Sequence, residues 1–224
     1  MSIKENLQKI KQELPNDVTL VAVSKTKTID EIMEAYNAEQ RDFGENYVQE
    51  LRNKQQLLPK DIQWHFIGTL QTKQIKYIAP FVYMIHSVTS IRHIEEIDKR
   101  AKQNNRIILV LIELHIANEV TKSDVDDDEL FALLDYYNNN IFSNVEIQGL
   151  MGMATFTNDK EQIRQEFKHL KKTFDIVKEK YFNNNMNFKH LSMGMSSDYK
   201  IAIEEGSTVV RLGTLIFGER KYIK

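Results

Sequence analysis

The chain has 224 residues, 42% of them hydrophobic and 28% charged, a globular composition that excludes disordered, collagen-like and low-complexity proteins. Lys+Arg 30 stand against Asp+Glu 32 for a formal net charge of -2, so neither a nucleic-acid backbone nor an anionic membrane surface is favoured as a partner. With no cysteine, a disulfide framework, a thiolate metal site and a catalytic thiol are all excluded.

Along the chain, Ile3, Leu7, Ile10 and Leu14 recur at helical spacing, and the charges between them leave no apolar run of the kind a signal peptide needs. An apolar run at Thr19 to Ser24 reads as a strand, followed by the capping sequence Thr28-Ile-Asp-Glu31 and a helical stripe at Ile29, Ile32, Met33 and Tyr36. Strand-like runs follow at Arg41 to Gly44, Gln63 to Gly68 and Tyr83 to Val88, then a stripe at Ile91, Ile94, Ile97 and Ala101. Ile107 to Leu114 reads as a strand apolar on both faces, and Leu130, Leu133, Leu134 and Tyr137 as a helix. After a strand at Glu146 to Met153 comes the longest helix, Ile163 to Tyr181, entered through Asn158-Asp-Lys-Glu161. His190 to Met195 and Val209 to Phe217 complete the strands, with a helix between them that begins after Ser196 and stops at Gly206, a residue type suited to a left-handed C-terminal position.

Strict alternation of strand and helix implies parallel strands with crossover helices. An open doubly wound sheet and a closed barrel compete. Eight strand-helix units satisfy barrel closure, and no GxGxxG stands at the first strand-helix turn, so the fold expected is a single TIM-type (β/α)8 barrel with an added N-terminal helix. Only 8 Gly and 3 Pro are present, with no linker-like stretch, so residues 1–224 are expected to form one domain. No run approaches the roughly 18 apolar residues of a membrane span, which makes a soluble cytoplasmic protein the expectation.

Barrels of this type carry chemistry at the C-terminal ends of their strands. The first strand delivers Ser24-Lys25-Thr26-Lys27 there. A lysine desolvated among apolar neighbours becomes available as a carbonyl nucleophile, whereas a solvated lysine is only one of 30 cations. The seventh strand ends in Leu191-Ser-Met-Gly-Met-Ser-Ser197 ahead of a helix, and the eighth in Arg211-Leu-Gly-Thr214, so hydroxyls and backbone N–H groups could cradle an anion. Taken singly, the serines also read as N-caps and the glycines as turn residues.

Five segments carry a resemblance: Ala22-Val-Ser-Lys-Thr-Lys27, Phe43-Gly-Glu-Asn-Tyr47, Trp64-His-Phe-Ile-Gly-Thr-Leu-Gln71, His190-Leu-Ser-Met-Gly-Met-Ser-Ser-Asp198 and Val210-Arg-Leu-Gly-Thr-Leu-Ile-Phe-Gly-Glu-Arg220. In this order, over roughly residues 18 to 220, the chain resembles the pyridoxal phosphate homeostasis protein family, whose fold is that of the alanine racemase N-terminal barrel. The resemblance implies that Lys25 holds the aldehyde of pyridoxal 5'-phosphate (PLP) as a Schiff base. It implies that Ser192, Gly213 and Thr214, with Ser196 as a further candidate, bind the cofactor phosphate, that Arg211 faces the pyridine nitrogen, and that Asn46 lines the ring.

A guanidinium accepts no proton from that nitrogen, so the ring should be a poor electron sink and amino-acid turnover weak. A racemase of this fold also takes a second acid/base from a further domain, which the sequence is not expected to supply. The expected function is therefore PLP homeostasis without robust catalysis, in a monomer whose partners are PLP and PLP-dependent apo-enzymes. The alternatives are a PLP-dependent amino-acid racemase or decarboxylase of the same fold, and a Schiff-base aldolase acting through Lys25. The sequence departs from the family pattern at Lys73, at His115, at Asp124 after Lys122-Ser123, and at Gly152, changes that leave the expected cofactor residues themselves intact. The six histidines lack metal-ligand spacing and read as packed or solvated side chains, Asp124 to Glu129 reads as a charged helix start, and Tyr181 to Asn187 as a polar surface loop.

Overall fold

A strand covered by helices on one side only needs apolar groups on that side, and its alternate residues are released for other work. A computed structural model describes residues 2–118 and 124–219; Lys122-Ser123 and Arg220 of the motifs above lie outside the described residues. The strands are β1 (Thr19–Val23), β2 (Asp42–Glu45), β3 (Gln63–Phe66), β4 (Met84–Val88), β5 (Ile108–Glu113), β6 (Val145–Met151), β7 (His190–Ser192) and β8 (Val209–Leu212). They pair in parallel, in chain order, and β1 closes on β8 through Val21↔Arg211 and Ala22↔Leu212 to give the expected barrel. The run expected as one strand from Val209 to Phe217 is divided: β8 ends at Leu212, Gly213 turns the chain, and Thr214–Phe217 forms a helical turn that buries Ile216 and Phe217. A four-residue apolar run fits either period, so the sequence pattern alone did not separate the two.

The helices are α1 (Ile3–Glu13), α2 (Ile29–Asn37), α3 (Val48–Leu57), α4 (Ile75–Ile78), α5 (Ile91–Gln103), α6 (Asp127–Asn139), α7 (Lys160–Tyr181), α8 (Tyr199–Glu204) and α9 (Thr214–Phe217). As expected, α1 precedes the barrel; it packs on α2 and α9, and Asn6 Nδ2 donates to the Ile216 carbonyl at 2.9 Å. The Thr28 and Glu31 capping box opens α2, and a second one, Asp126 with Glu129, opens α6. The cap of α7 is Asp159, one residue beyond the Asn158 of the sequence reading. Helix α8 ends before Gly206, whose φ of 93° is the left-handed stop expected there.

Side chains at alternate strand positions meet the helices: Phe43, Trp64, Phe66, Ile85, Ile112, Leu150, Leu191, Val210 and Leu212 join Leu7, Ile32, Leu51, Ile75 and Phe167 in one continuous core. Each such buried side chain contributes about 1.5–3 kcal/mol. The loop after α7 is polar as expected at Asn183 to Asn187, yet its ends are not: Phe182 and Phe188 are buried and stack at 4.4 Å. The remaining alternate positions face the lumen. Their apolar part includes a small separate cluster of Met84, Leu111 and Met151 with Tyr83 and Leu109. Among the described residues, no helix is long and apolar enough to cross a membrane.

Candidate functional site

At the C-terminal rim, β1 runs into a tight turn in which the Lys27 N–H returns to the Ser24 carbonyl at 3.0 Å, leaving Lys25 half-buried on the turn. The next residue, Thr26, has φ 66°, a left-handed backbone that a β-branched side chain rarely adopts. What holds it lies beneath. Thr26 N–H donates to Glu50 Oε1 at 2.6 Å, and the buried Lys54 Nζ donates to Glu50 Oε1 at 2.6 Å, Glu45 Oε1 at 2.8 Å and the Ser24 carbonyl at 2.7 Å. Ser24 Oγ adds a 2.6 Å bond to Glu45 Oε1. Burial pushes the Glu45 carboxyl up to about 6 despite the Lys54 ammonium beside it. The turn that carries Lys25 thus stands on a buried ionic platform.

After β7 the chain passes through Gly194, where φ is 97° and an added Cβ would lie 2.6 Å from Ala202 Cβ, so only glycine fits. The following serines are not the first turn of α8. That helix starts at Tyr199 with Asp198 at its N-cap position, and Asp198 accepts the Met195 N–H at 2.5 Å. Ser196 and Ser197 instead sit on the loop facing α9, and Gly213 N–H donates to Ser196 Oγ at 3.3 Å. The backbone N–H groups of Ser196, Ser197, Thr214 and Leu215 have no protein acceptor among the described residues. With the Ser196, Ser197 and Thr214 hydroxyls they make a donor-rich cradle at the ends of β7 and β8.

Arg211 is 4% exposed and lies along the neighbouring strand ends on the lumen side. Its Nη1 donates to the Ser192 carbonyl at 2.9 Å and Ser192 Oγ at 2.6 Å, and its Nη2 to the Gly152 carbonyl at 3.2 Å. Burial lowers it to about 10, with Glu113 and Asp198 opposing the shift, so it stays charged at neutral pH. Glu113, at the end of β5, is pushed up to about 8 by burial and by the Asp124 carboxylate, against the pull of Arg211.

One chamber of about 550 Å³ gathers Lys25, Asn46, Arg211, Gly213 and Thr214 from the sequence-derived set, together with Ser196. Ser192 does not line it: its hydroxyl lies below, wholly buried, bonded to Arg211 and at 3.0 Å from His86 Nδ1. Apart from Ser197, the rest of the wall is apolar and was not anticipated: Val23, Ile67, Met153, Met195, Leu215 and the 89% exposed Phe156 at the mouth. The irregular loops after β6 and β7 carry no periodicity that marks such residues as ligand-facing. A larger groove of about 660 Å³ adjoins the chamber through Ser196, Ser197 and Leu215, but its charges are largely spent on one another, Arg164 with Glu204 and Glu205 and Lys200 with Glu13.

The residues present fit PLP. A primary amine, an anion cradle and a donor-only guanidinium share one wall-lined space, and the buried Asn46 Oδ1 in that wall has no hydrogen-bond partner, an acceptor left for a ligand donor. Of the departures from the family pattern, Lys73 lies on the turn Thr72–Gln74, and His115 Nδ1 stands 3.3 Å from Asp124 Oδ2. Gly152 lies beside Arg211, whose guanidinium its carbonyl receives. An added Cβ at Gly152 would meet Leu170 at 2.8 Å and Ile116 at 2.9 Å, so this chain has filled the space a larger residue would need.

Comparison with known proteins agrees with this architecture. The family model "Alanine racemase, N-terminal domain" matches residues 1–221. The pyridoxal phosphate homeostasis protein of Aquifex aeolicus is 42% identical over 208 residues, 92% of this chain and 89% of that one. Its human counterpart is 34% identical over 238 residues, 100% of this chain and 86% of that one. The structure of PipY from Synechococcus elongatus with PLP bound superposes with a TM-score of 0.87 at 32% identity, covering 97% of this chain and 100% of that chain. The chain therefore belongs to the pyridoxal phosphate homeostasis protein family, on the barrel of the alanine racemase N-terminal domain.

Proposed function

We propose that this protein binds PLP in the rim chamber and holds it in the cytoplasm, as a monomer, for delivery to PLP-dependent apo-enzymes, with little or no turnover of amino acids. Lys25 would tether the aldehyde end. The hydroxyls of Ser196 and Thr214, with the unpartnered N–H groups around Gly213, would take the phosphate. Asn46 Oδ1 would accept from a ring donor, and Arg211 would face the ring nitrogen. When bound, PLP supplies a conjugated aldehyde that captures primary amines and draws electrons from them. A guanidinium donates and never accepts, so Arg211 would keep the ring nitrogen unprotonated and weaken that pull. The engagement of the Ser192 hydroxyl with Arg211 and His86 supports a role for it beside the ring nitrogen in place of the phosphate.

The observation that carries this reading is one cavity lined both by Lys25 and by the cradle of Ser196, Ser197, Gly213 and Thr214. The names of the relatives and the PLP in the PipY structure support the same ligand. Restraint of catalysis is supported by the lining itself: among the described residues, Lys25 and Arg211 are its only titratable side chains. The test is reconstitution with PLP, borohydride reduction and peptide mass spectrometry. Label is expected on Lys25 and its visible-edge absorbance should vanish in Lys25→Ala; label elsewhere overturns the site. Sustained racemisation or decarboxylation of amino acids by the loaded protein overturns the carrier reading.

A further inference from the structure

Below Arg211 and Ser192 lie three buried or half-buried side chains, Asp42, His65 and His86, that the proposed function gives no role. Asp42 Oδ1 stands 3.0 Å from His65 Nε2, His65 Nδ1 stands 2.9 Å from His86 Nε2, and His86 Nδ1 stands 3.0 Å from Ser192 Oγ, which Arg211 reaches at 2.6 Å. Strands β4 and β7 are not neighbours in the ring, so the His86–Ser192 bond has to cross the lumen. The series starts on Asp42, 24% exposed where β2 enters the barrel, and ends at the guanidinium under the chamber. It joins the two ends of the barrel.

We propose that Asp42, His65, His86 and Ser192 form a one-way hydrogen-bonded chain that fixes the direction of the Arg211 guanidinium; its consequence for the cofactor rests on the reading that Arg211 faces the ring nitrogen.

Donor counting sets the direction. Arginine only donates and a carboxylate only accepts, so the two ends are fixed. Ser192 Oγ receives Arg211 and must pass its own proton to His86 Nδ1, the other partner the structure gives it. His86 then donates from Nε2 to His65 Nδ1, and His65 donates from Nε2 to Asp42. The competing assignment places a proton on His86 Nδ1. It aims two donors at Ser192 Oγ, leaves a fully buried hydroxyl proton without an acceptor, and makes His65 a second cation in the lumen. An unmade buried hydrogen bond is costly, and this arrangement loses. Burial first, and then the Arg211 guanidinium, hold His86 well below the usual histidine range, which favours its neutral form. His190, next to Asp42 and His65, is itself lowered to about 4, mainly by burial. The chain thus leaves Arg211 Nη1 committed downwards to Ser192 and Nη2 to Gly152, and the guanidinium plane cannot turn without breaking both. Asp42, His65, His86 and Ser192 act here as positioning residues.

Nitrogen-15 NMR of the histidine rings in the protein without cofactor tests the chain whatever ligand it takes. Both His65 and His86 should carry their proton on Nε2; a proton on His86 Nδ1 overturns the proposal. The consequence is read with nitrogen-15-labelled PLP. Ser192→Ala and His86→Phe should shift the ring-nitrogen resonance in the same direction, while Ser192→Thr restores it. Ser192→Ala should weaken PLP and pyridoxal by the same factor. A loss confined to PLP would mean that Ser192 serves the phosphate, and an unmoved resonance in both variants would mean that the chain does not position Arg211; either result overturns the proposal. Failure of the wild-type protein to bind PLP at all would instead sink the proposed function, and the tautomers would still decide the chain.

Discussion

Trp64, Phe66, Ile85 and Leu191 point outwards into the helix layer, while the residues beside them in sequence, His65, His86, His190 and Ser192, point into the lumen. The same strands therefore serve two environments of opposite demand. The outer face is aliphatic and aromatic, and its stability depends on volume filled. The inner face is largely polar, and its stability depends on each donor finding its acceptor. A change of shape is tolerated on the outside if volume is kept; a change of hydrogen-bonding valence on the inside is not. One outer position breaks the rule: Glu45 points into the helix layer and is matched by Lys54 from α3, and this exception sits directly beneath the Lys25 turn.

The largest effect is expected from removing outer volume. Trp64→Ala, at a site 2% exposed, should cost about 3–5 kcal/mol, read as a fall in the urea midpoint, while Ile85→Leu should cost less than about 1.5 kcal/mol. Lys54→Met should cost about 3 kcal/mol, the low end for a broken buried pair, because Glu45 escapes by taking up a proton. The same variant should loosen the Thr26 turn, read as faster amide exchange at Thr26.

Titration sharpens the contrast further. Glu113 is raised in the folded state, so it binds a proton that the unfolded chain has released, and its contribution to stability is lost as pH rises from about 4.5 through about 8. Glu45 acts in the same sense only up to about 6, whereas the lowered His190 makes stability fall as pH drops from 6.5 towards about 4. Between pH 6.5 and 8, Glu113 is the group of these three that still titrates. Glu113→Gln should flatten the slope of stability there by on the order of 1 kcal/mol per pH unit, measured by urea unfolding at several pH values. The smallest effect is expected at the helix cap that follows the Lys25 turn: Thr28→Ala should cost about 1 kcal/mol and leave the lumen unaffected.

What could be read in advance follows the same division. The outer face announced itself through apolar periodicity, and the capping box at Thr28 was legible because its partner lies three residues on in the chain. Helix α3 was not legible, since its buried positions are Val48, Leu51 and Lys54, and a lysine on the apolar stripe hides the period until Glu45 is known to face it. Lys25, Asn46, Arg211, Gly213 and Thr214 were named from motifs and strand ends and meet in one chamber. Ser192 was named as well, but a motif gives no side-chain direction. The parity of β7 turns Ser192 inwards, and Arg211 and His86 claim it first. His65 and His86 read as packed side chains, which they are; a signal was present in their alternation with Trp64, Phe66 and Ile85, which assigns both rings to the lumen.

The pairing that closes the ring, Val21 against Arg211 and Ala22 against Leu212, leaves no strand able to slip by itself. Deleting a single residue between Gly206 and Thr208 would pull the last strand half a pleat out of phase, thrust a guanidinium into oil and draw a leucine into its place. The spacing of this short connector is thereby as stringent a requirement for the ligand pocket as any side chain that lines it.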